Sequence, residues 1–582
     1  MNTTIKLTGV FLLLLLLNGC STIAKRAFLP TDTVRPVEFE VDFQDNVTTP
    51  MSDGTLLSAK VYRPRGLSSG PVILIRAPYS AGWKTALMAD VLGEYWASRG
   101  YGVVLQSSRG RKPSGGAFYP LADEREDGID TLRWLTAQEW CDGRIGMWGG
   151  SSFGYTQWAI ADQDDPGVDA YMIQISSSET REMFYPGGAF ALESALYWAL
   201  RSYQDVDRIP SVDAIRRGVV ANPITKADDL AAENIVFFDD WATHTEPDEY
   251  WRRIDGEDRA SALRAPTLLM AGWFDPFLPA QLEDFKRIRA RALPEAARHS
   301  RLIVGPWSHA AKVALPGAKN REDYRKAALE PSIAWFDTHL SGRSETAKTT
   351  APVRLFVMGI NEWRDENEWP LDRAEVVPLY LLENGKLGLR PMSGNDAFDT
   401  FTYDPNDPVP TAGGAVLGKR AGIQKQNGIE AREDVLVYTS PTLLESVEIT
   451  GEIRAVLNVR TTAANTDFTV KLVDVHPDGA AYNVCDGILR RSYVGAASPT
   501  EITIGLWPTS MVFLRGHRIR IEVSSSNFPR FDRNPNTGRF IPTETQRTIA
   551  QQRVYRSENT ASRIELPVVP IDGRTTFEFD AQ

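Results

Sequence analysis

The chain has 582 residues, of which 42% are hydrophobic, 24% charged and 10% aromatic, a composition that excludes wholesale disorder and predicts more than one domain. The formal net charge of −11 and the pI of about 5.3, with no basic stripe along the chain, argue against a nucleic-acid partner. The acidic residues are spread along the chain, as on an ordinary solvated surface.

Residues 1–19 are typical of a secretory signal peptide. Lys6 is followed by an apolar run over residues 10–17, which is too short to cross a bilayer comfortably but suits the apolar part of such a signal. Residues 17–20 read Leu-Asn-Gly-Cys and resemble the lipoprotein box of bacteria, in which the cysteine is diacylated and becomes the new N-terminus. A plain cleaved signal is the alternative.

The lipoprotein interpretation predicts where the mature protein is held. Cys20 is the expected lipidation site, and residues 20–36 are the expected tether to the membrane. Ser21, rather than aspartate, follows the cysteine; by the same resemblance, this favours the cell envelope, on the periplasmic side of an outer membrane in a Gram-negative source.

Short apolar runs alternate with helical patterns over residues 37–177 and 261–345, and this alternation predicts an α/β core. The continuous apolar runs at residues 72–75 and 103–105 are typical of strands that are buried on both faces of a parallel sheet. Further strands are predicted at 266–270 and 302–304, helices at 86–98, 127–139 and 324–340, and a hairpin turn at 51–54.

Two other regions depart from this alternation. Residues 178–260 are rich in aromatic side chains and include a helical pattern at 189–203, which predicts a mainly helical cap. Residues 351–582 show short alternating strands with turn signals and no long amphipathic helix. The pattern therefore predicts an α/β core with an inserted helical cap, followed by an all-β sandwich or jelly-roll domain.

Three separated fragments supply the chemistry of a serine hydrolase, and each follows a predicted strand. They are residues 146–154, 272–275 and 305–309, and their order of serine, aspartate and histidine is that of an α/β-hydrolase. His309 is the predicted base, since it alone of the six histidines follows a strand late in the α/β order. Asp275 is the predicted orienting acid, with a helix N-cap as its alternative role.

The nucleophile has two possible registers. Residues 150–154 match the G-x-S-x-G pattern with Ser152 as nucleophile, whereas residues 149–154 fit a G-x-S-x-x-G variant with Ser151. In both registers the glycines leave room for a sharp turn from strand to helix. The generic pattern alone slightly favours Ser152.

The chain resembles the family of serine hydrolases that contains cocaine esterase, α-amino-acid ester hydrolase and Xaa-Pro dipeptidyl-peptidase. The resemblance runs from about residue 45 to the C-terminus and is carried by motifs in both the core and the β region. The matching segments are residues 76–79, 109–110 with 114–116, 140–143, 154–158, 272–275, 305–309, 356–359, 474–479 and 516–518.

This resemblance implies an α/β-hydrolase core with an inserted helical cap and an all-β, galactose-binding-like jelly-roll domain. It also implies roles for particular residues. Alignment on Thr156-Gln157 places the nucleophile at Ser151. Tyr79 is then implied as a hydroxyl donor to the oxyanion, alongside the backbone N–H of Ser152, with a packed aromatic at a domain interface as its alternative role. Phe277 and Trp198 are implied as walls of an aromatic acyl pocket, with ordinary core packing as the alternative for each.

The sequence departs from the family pattern at two positions. Ser152 stands where the family usually has an aromatic residue, and Ser107 stands where it usually has aspartate. The first departure bears on the register of the nucleophile. The second bears more on loop packing than on chemistry.

The expected partner is a small-molecule acyl substrate with an uncharged or aromatic acyl group. In the amino-ester hydrolases acidic residues follow the aspartate of the triad and hold an ammonium group, whereas residues 276–278 here are Pro-Phe-Leu. If Glu193, Asp205 or Asp207 in the cap supplied the negative charge instead, Xaa-Pro dipeptidyl-peptidase or β-lactam acylase activity would follow. An inactive surface-binding lipoprotein is the remaining alternative, which the full set of expected catalytic residues disfavours.

No cofactor and no metal site are predicted, because the sequence has no Cys/His cluster with metal-ligand spacing. Two cysteines remain after Cys20. Cys141 and Cys485 are expected either to pair in an oxidising compartment or to remain as buried thiols, and the sequence leaves both possibilities open.

Overall fold

The computed structural model describes residues 29, 35–79, 83–205, 209–309, 311–318, 322–343, 350–394, 397–418, 420–493, 498–571, 573 and 576–580. The predicted signal peptide, Cys20 and nearly all of the predicted tether lie outside these residues, so all three remain predictions. Within the part of the chain that is described, no helix combines the length and the apolar character needed to span a membrane.

The first sheet is mixed, with a parallel centre. Its spatial order is β1-β2-β4-β3-β5-β6-β7-β8-β10-β11, and β9 pairs with β8 beside this path. The strands from β4 across to β10 run parallel, whereas β1, β2 and β11 are antiparallel to their neighbours. The strands are β1 (Val41–Pro50), β2 (Leu56–Pro64), β3 (Gly70–Ala77), β4 (Gly102–Ser107), β5 (Cys141–Gly150), β6 (Ala170–Gln174), β7 (Thr267–Phe274), β8 (Arg301–Ser308), β9 (Ala311–Lys312), β10 (Val353–Val357) and β11 (Glu362–Glu366).

The central strands are apolar along their length because both faces of the sheet are covered. Every residue of β6 and β7 is buried, and only the last residue of β3 is not. Helices lie between successive parallel strands, as crossover connections require. The helices of the core are α1 (Trp83–Ala97), α2 (Glu124–Thr136), α3 (Ser152–Trp158), α10 (Leu278–Arg291), α11 (Pro294–His299), α12 (Tyr324–Leu329) and α13 (Ser332–Phe336).

A group of short helices is inserted between β6 and β7, where the sequence predicts the cap. Aromatic side chains form its own hydrophobic centre; Trp198 and Trp241 stack with ring centroids 4.8 Å apart and planes 9° apart. The helices are α4 (Arg181–Phe184), α5 (Leu192–Ser202), α6 (Val212–Val219), α7 (Ala227–Ala231), α8 (Val236–Thr243) and α9 (Glu249–Asp255).

Two details of the core differ from the sequence prediction. The single helix predicted over 324–340 is divided into α12, α13 and a π turn at Asp337–Ser341, because Pro331 lacks the N–H that a continuous helix needs. The sequence pattern places the hairpin β10–β11 with the strands of the C-terminal β domain. In the structure β10 pairs in parallel with β8 and extends the first sheet, which a local strand pattern does not reveal.

The second sheet forms the C-terminal β domain. Its order is β14-β21-β16-β22-β12-β13-β15-β20-β17-β18, with β19 paired to β16 beside this path. One short helix, α14 (Asn427–Glu430), lies among its described connections. The strands are β12 (Glu375–Leu382), β13 (Lys386–Gly388), β14 (Phe398–Tyr403), β15 (Leu436–Thr439), β16 (Val447–Thr461), β17 (Asn465–Val475), β18 (Ala481–Ser492), β19 (Thr500–Phe513), β20 (Arg518–Ser524), β21 (Ala550–Tyr555) and β22 (Arg563–Val569).

Strand β19 joins the β domain to the core. Its first residues alternate between buried and exposed, whereas its last eight are all buried. In this half, Met511 forms a bridge to Met358, which directly follows β10, and a single hydrophobic cluster continues from the first sheet into the second. The β domain is therefore packed against the core and contributes to the surroundings of the core strand ends.

The two cysteines left open by the sequence are both free and buried. Cys141 begins β5 in the first sheet, and Cys485 lies in β18 of the second. Burial raises the pKa of the Cys141 thiol above its ordinary value, and raises that of Cys485 well above it. Neither cysteine forms the disulfide that was one of the two alternatives.

Candidate active site

A sharp turn links β5 to α3 and carries Ser151. This residue has φ 58° and ψ −127°, a left-handed conformation that side chains rarely adopt. The neighbouring glycines make the turn possible, because a Cβ on Gly154 would lie 2.6 Å from the Cβ of Ser176 and one on Gly149 would lie 2.5 Å from the Cβ of Phe153. The geometry is that of a nucleophile elbow.

The turn points Ser151 and Ser152 in different directions. Ser151 Oγ lies 2.9 Å from His309 Nε2. Ser152 is the first residue of α3, and its Oγ lies 3.1 Å from the hydroxyl of Tyr79. Of the two registers considered from the sequence, the structure therefore brings the one with Ser151 to the histidine.

Asp275 and His309 follow two adjacent parallel strands, β7 and β8, so they meet at the same edge of the sheet as Ser151. His309 Nδ1 lies 2.7 Å from Asp275 Oδ2. The three residues form a continuous chain of hydrogen bonds from carboxylate to imidazole to hydroxyl. Their side chains are aligned for proton transfer from the serine to the histidine.

Asp275 is held from two directions. Its side chain is fully buried, and its Oδ1 accepts a hydrogen bond of 2.8 Å from the backbone N–H of Phe277. Its backbone carbonyl accepts a hydrogen bond of 3.1 Å from Nε1 of Trp507, which lies on β19 of the β domain. Sequence reasoning missed Trp507, because no local pattern links it to a loop 232 residues earlier.

Tyr79 follows β3 and is half-buried beside the serine turn. Its ring packs against Phe153, with centroids 5.5 Å apart, and the guanidinium carbon of Arg201 lies 5.4 Å from its ring centroid. The backbone N–H of Ser152 belongs to the first turn of α3, where helix geometry leaves N–H groups without partners inside the helix. Tyr79 and Ser152 thus place a hydroxyl and a backbone N–H close to Ser151.

A cavity of about 360 Å³ opens onto these residues beneath the cap. Trp198 and Phe277 both line it, and the Phe277 ring lies 5.8 Å from the His309 ring between centroids. The volume is within the range of small-molecule sites. The residues of its lining that lie on the cap are Thr180, Met183, Tyr197, Trp198, Arg201 and Ile209.

The described carboxylates that were considered for an ammonium site are engaged elsewhere. Glu193 is buried, and its Oε1 accepts a hydrogen bond of 3.1 Å from Nε of Arg420. Asp205 Oδ2 accepts a hydrogen bond of 3.1 Å from the backbone N–H of Lys112, and Asp207 lies outside the described residues. Among the described residues that line the cavity, none is a carboxylate.

Two carboxyl groups, the buried Asp284 and the half-buried Asp255, attach the ends of the cap to the core. Asp284 on α10 accepts hydrogen bonds of 2.6 Å from the hydroxyl and 3.0 Å from the backbone N–H of Ser178. Asp255 at the end of α9 accepts one of 2.7 Å from the N–H of Thr180. Desolvation by burial raises the pKa of each carboxyl to about 7. Since both are bonded to the segment that enters the cap, we assign them to cap attachment.

The remaining histidines are distributed over the molecule. They end a cap helix, end α11, lie in the π turn and flank two strands of the β domain: His244, His299, His339, His476 and His517. His244 and His517 are hydrogen-bonded to Asp248 and Asp474, whereas His309 is hydrogen-bonded to Ser151 and Asp275.

The fold, with parallel strands that end at a nucleophile elbow, an inserted cap and a packed jelly roll, defines the class of the α/β-hydrolases. The chain matches the X-Pro dipeptidyl-peptidase (S15 family) over residues 53–311 and the X-Pro dipeptidyl-peptidase C-terminal non-catalytic domain over residues 345–565. It is also 36% identical to the cocaine esterase of Rhodococcus sp. (strain MB1 Bresler), over 90% of this chain and 98% of that protein. The chain belongs to the CocE/NonD family of serine hydrolases and is a hydrolase.

Solved structures agree with the whole architecture. An aminopeptidase from a marine sediment archaeon, Thaumarchaeota archaeon, is 25% identical and superposes with a TM-score of 0.78 over 93% of this chain and 99% of that chain. An α-amino acid ester hydrolase is 24% identical and superposes with a TM-score of 0.77 over 93% and 98%. These comparisons confirm the predicted α/β core and the C-terminal all-β domain.

Proposed function

We propose that this protein hydrolyses carboxylic esters through an acyl-enzyme formed on Ser151. The observation that carries the proposal is the hydrogen-bonded chain of Ser151, His309 and Asp275 at the floor of the cavity. Membership of a family of serine esterases and peptidases supports the reaction type.

The proposed reaction begins with attack of Ser151 Oγ on the acyl carbonyl, while His309 Nε2 takes up the hydroxyl proton. Asp275 accepts a hydrogen bond from Nδ1–H of His309. This bond holds the imidazole in the tautomer that leaves Nε2 free to accept a proton, and it stabilises the imidazolium that forms. The carbonyl oxygen becomes an oxyanion, which the Tyr79 hydroxyl and the Ser152 backbone N–H stabilise. Collapse of the tetrahedral intermediate expels the alcohol with the proton from His309.

Hydrolysis of the acyl-enzyme repeats these steps with water. His309 removes a proton from the water as it attacks the ester of Ser151, and then returns that proton to the serine oxygen. The products are the carboxylic acid and the regenerated hydroxyl of Ser151.

The proposed substrates have an uncharged or aromatic acyl group. Phe277 and Trp198 supply apolar surface for it. A buried ammonium needs a negative partner, and the described lining of the cavity contains no carboxylate. We therefore rank ester hydrolysis above Xaa-Pro dipeptidyl-peptidase or β-lactam acylase activity.

The decisive experiment compares p-nitrophenyl esters with aminoacyl and Xaa-Pro chromogenic substrates. Wild-type protein is expected to prefer the esters and to label with a fluorophosphonate probe, whereas Ser151→Ala is expected to lose at least about 10⁴-fold in kcat and to lose labelling. Ser152→Ala is the matched control and retains labelling.

Three outcomes would contradict this proposal. A preference for free-amine substrates would favour the peptidase or acylase activity. Failure of folded wild-type protein to label would favour the inactive binding protein. Activity retained in Ser151→Ala and lost in Ser152→Ala would reverse the register.

We also propose that the protein is a lipoprotein of the cell envelope that is anchored through Cys20, on the periplasmic side of an outer membrane. The support is the sequence of residues 1–21. Metabolic labelling with a fatty acid is expected to mark the wild-type protein and not Cys20→Ala. Labelling of both would contradict the assignment.

A further inference from the structure

A second group of chemically active side chains lies at one end of the β domain, where β17 ends and β20 begins. These strands pair antiparallel, with Asp474 opposite Ile519 and Val475 opposite Arg518. His476 directly follows β17 and His517 directly precedes β20. The pairing therefore brings together three potential ligands that are separated by up to 43 residues in sequence.

The ligand atoms of these residues converge. Asp474 Oδ2 lies 3.1 Å from His517 Nδ1 and 3.3 Å from His476 Nε2. The other oxygen, Oδ1, lies 2.8 Å from His517 Nδ1. One ligand atom from each residue can be chosen so that all three lie within 4.8 Å of one another.

The two separations from Asp474 Oδ2 are close to those around a tetrahedral metal ion. Zinc binds histidine nitrogen and carboxylate oxygen at about 2.0–2.2 Å, so two ligand atoms at a tetrahedral angle lie roughly 3.3–3.5 Å apart. The distances from Asp474 Oδ2 are equal to this edge or a few tenths of an ångström shorter. An ion would replace the Asp474–His517 hydrogen bond and move the rings outward only slightly.

The surroundings suit a bound ion with one open position. Asp474 and His517 are buried, with 3% and 8% of their surfaces exposed, whereas the side chain of His476 is 24% exposed. The backbone holds both histidines in place: the N–H of His476 donates to the carbonyl of Ala480 at 2.8 Å, and that of His517 to the carbonyl of Leu514 at 3.0 Å. Two sides of the site are thus fixed, and the His476 side is open to water.

We propose that Asp474, His476 and His517 form a binding site for one zinc ion, with water as the fourth ligand. Two imidazoles and one carboxylate favour zinc over magnesium or calcium, which prefer oxygen ligands alone. The ion would clamp the ends of β17 and β20. The site belongs to the β domain and is independent of the proposed ester hydrolysis.

The test uses untagged full-length protein that has been treated with EDTA and dialysed. Titration with zinc chloride in a calorimeter is expected to give one ion per chain and to raise Tm. His476→Gln is expected to weaken zinc affinity by at least about tenfold. This variant keeps the Asp474–His517 hydrogen bond, and His476 is the most exposed of the three, so the fold is expected to survive.

Two controls identify the site. His244→Gln alters another histidine that is paired with an aspartate, Asp248, at 2.6 Å, and is expected to leave zinc affinity unchanged. Cobalt in place of zinc is expected to give the strong visible absorption of a tetrahedral site, and this absorption is expected to be lost in His476→Gln.

The proposal is overturned if wild-type protein binds no zinc. It is also overturned if zinc affinity is unchanged in both His476→Gln and His517→Gln, or if binding is lost only in His309→Ala. A lower Tm in the two β-domain variants with no effect of zinc on wild-type Tm would show that the cluster is a hydrogen-bonded structural element instead.

Discussion

The core and the β domain each contain a histidine paired with a buried aspartate, and the two pairs are almost the same. Asp275 lies 2.7 Å from Nδ1 of His309, and Asp474 lies 2.8 Å from Nδ1 of His517. Both aspartates have almost no exposed surface. The pair itself therefore does not determine what either region can do.

The difference lies in the third partner. In the core the far nitrogen of His309 faces a hydroxyl that a left-handed turn holds at the edge of a cavity. In the β domain the carboxylate of Asp474 faces a second imidazole, that of His476. An aspartate and histidine pair beside a hydroxyl suits nucleophilic chemistry, whereas the same pair beside another histidine suits a metal ion.

The largest loss of activity is expected from Asp275→Asn, which alters the aspartate and histidine pair of the core and leaves that of the β domain intact. The amide keeps the shape but no longer favours the tautomer with a proton on Nδ1 of His309, so kcat is expected to fall about 10⁴-fold with the fold retained. Steady-state kinetics on a p-nitrophenyl ester and circular dichroism measure the two effects.

Asp248→Asn is the matched control for this change, since Asp248 is hydrogen-bonded to His244 on the cap at 2.6 Å. It is expected to keep kcat within about twofold. If Asp275→Asn also kept kcat within about twofold, Asp275 would be a structural carboxylate. The aspartate and histidine pair of the core would then have no catalytic role that distinguishes it from the pair in the β domain.

A smaller effect is expected from Tyr79→Phe. Loss of one oxyanion donor is expected to lower kcat by about 10²- to 10³-fold with little change in KM, because the charge on the oxygen develops only in the transition state. Tyr438→Phe provides the control: it removes a hydroxyl that donates to Asp399 in the β domain, and Tyr438 does not line the cavity. Equal kcat values for the two variants would remove Tyr79 from the oxyanion site.

Local signals explain which parts of this arrangement could be predicted. Asp275, His309 and the serine turn each follow a buried strand, so pattern and chain order group them, but the choice of Ser151 over Ser152 required the family resemblance. Tyr79 required the family resemblance, because a tyrosine after a strand has no distinctive pattern of its own. The core, the cap and the jelly roll likewise followed from changes in hydrophobic period along the chain.

Pairings between distant segments could not be predicted. The addition of β10 to β8 depends on an open sheet edge, which a local strand pattern does not record. The bond from Trp507 to Asp275 and the meeting of His476 with His517 depend on how β strands pair and pack across long intervals of sequence. Short metal-ligand motifs in a sequence do not include ligands that strand pairing brings together from distant segments.

A modest effect is expected from Ser152→Ala, which removes the hydroxyl that lies 3.1 Å from the Tyr79 hydroxyl. A neutral hydrogen bond contributes about 0.5–1.5 kcal/mol, so kcat is expected to fall roughly two- to tenfold. KM is expected to change little if Ser152 positions the oxyanion donor. Ser152→Thr retains a hydroxyl and is expected to restore part of the loss; no difference between the two variants would assign the effect to packing.

The smallest effect tests whether the β domain contributes to the core site. Trp507→Phe removes the hydrogen bond to the backbone carbonyl of Asp275 while keeping an aromatic ring on β19, and kcat is expected to fall about two- to fivefold. Trp134→Phe is the control for loss of an indole, since Trp134 is a partly buried residue of α2 whose ring contacts Trp140. A fall in kcat with unchanged Tm would mean that the β domain positions the aspartate loop, since general loosening of the fold lowers both. If Trp507→Phe lowered Tm and left kcat unchanged, the role of the β domain would be limited to packing. The two aspartate and histidine pairs would then lie in regions with no functional connection.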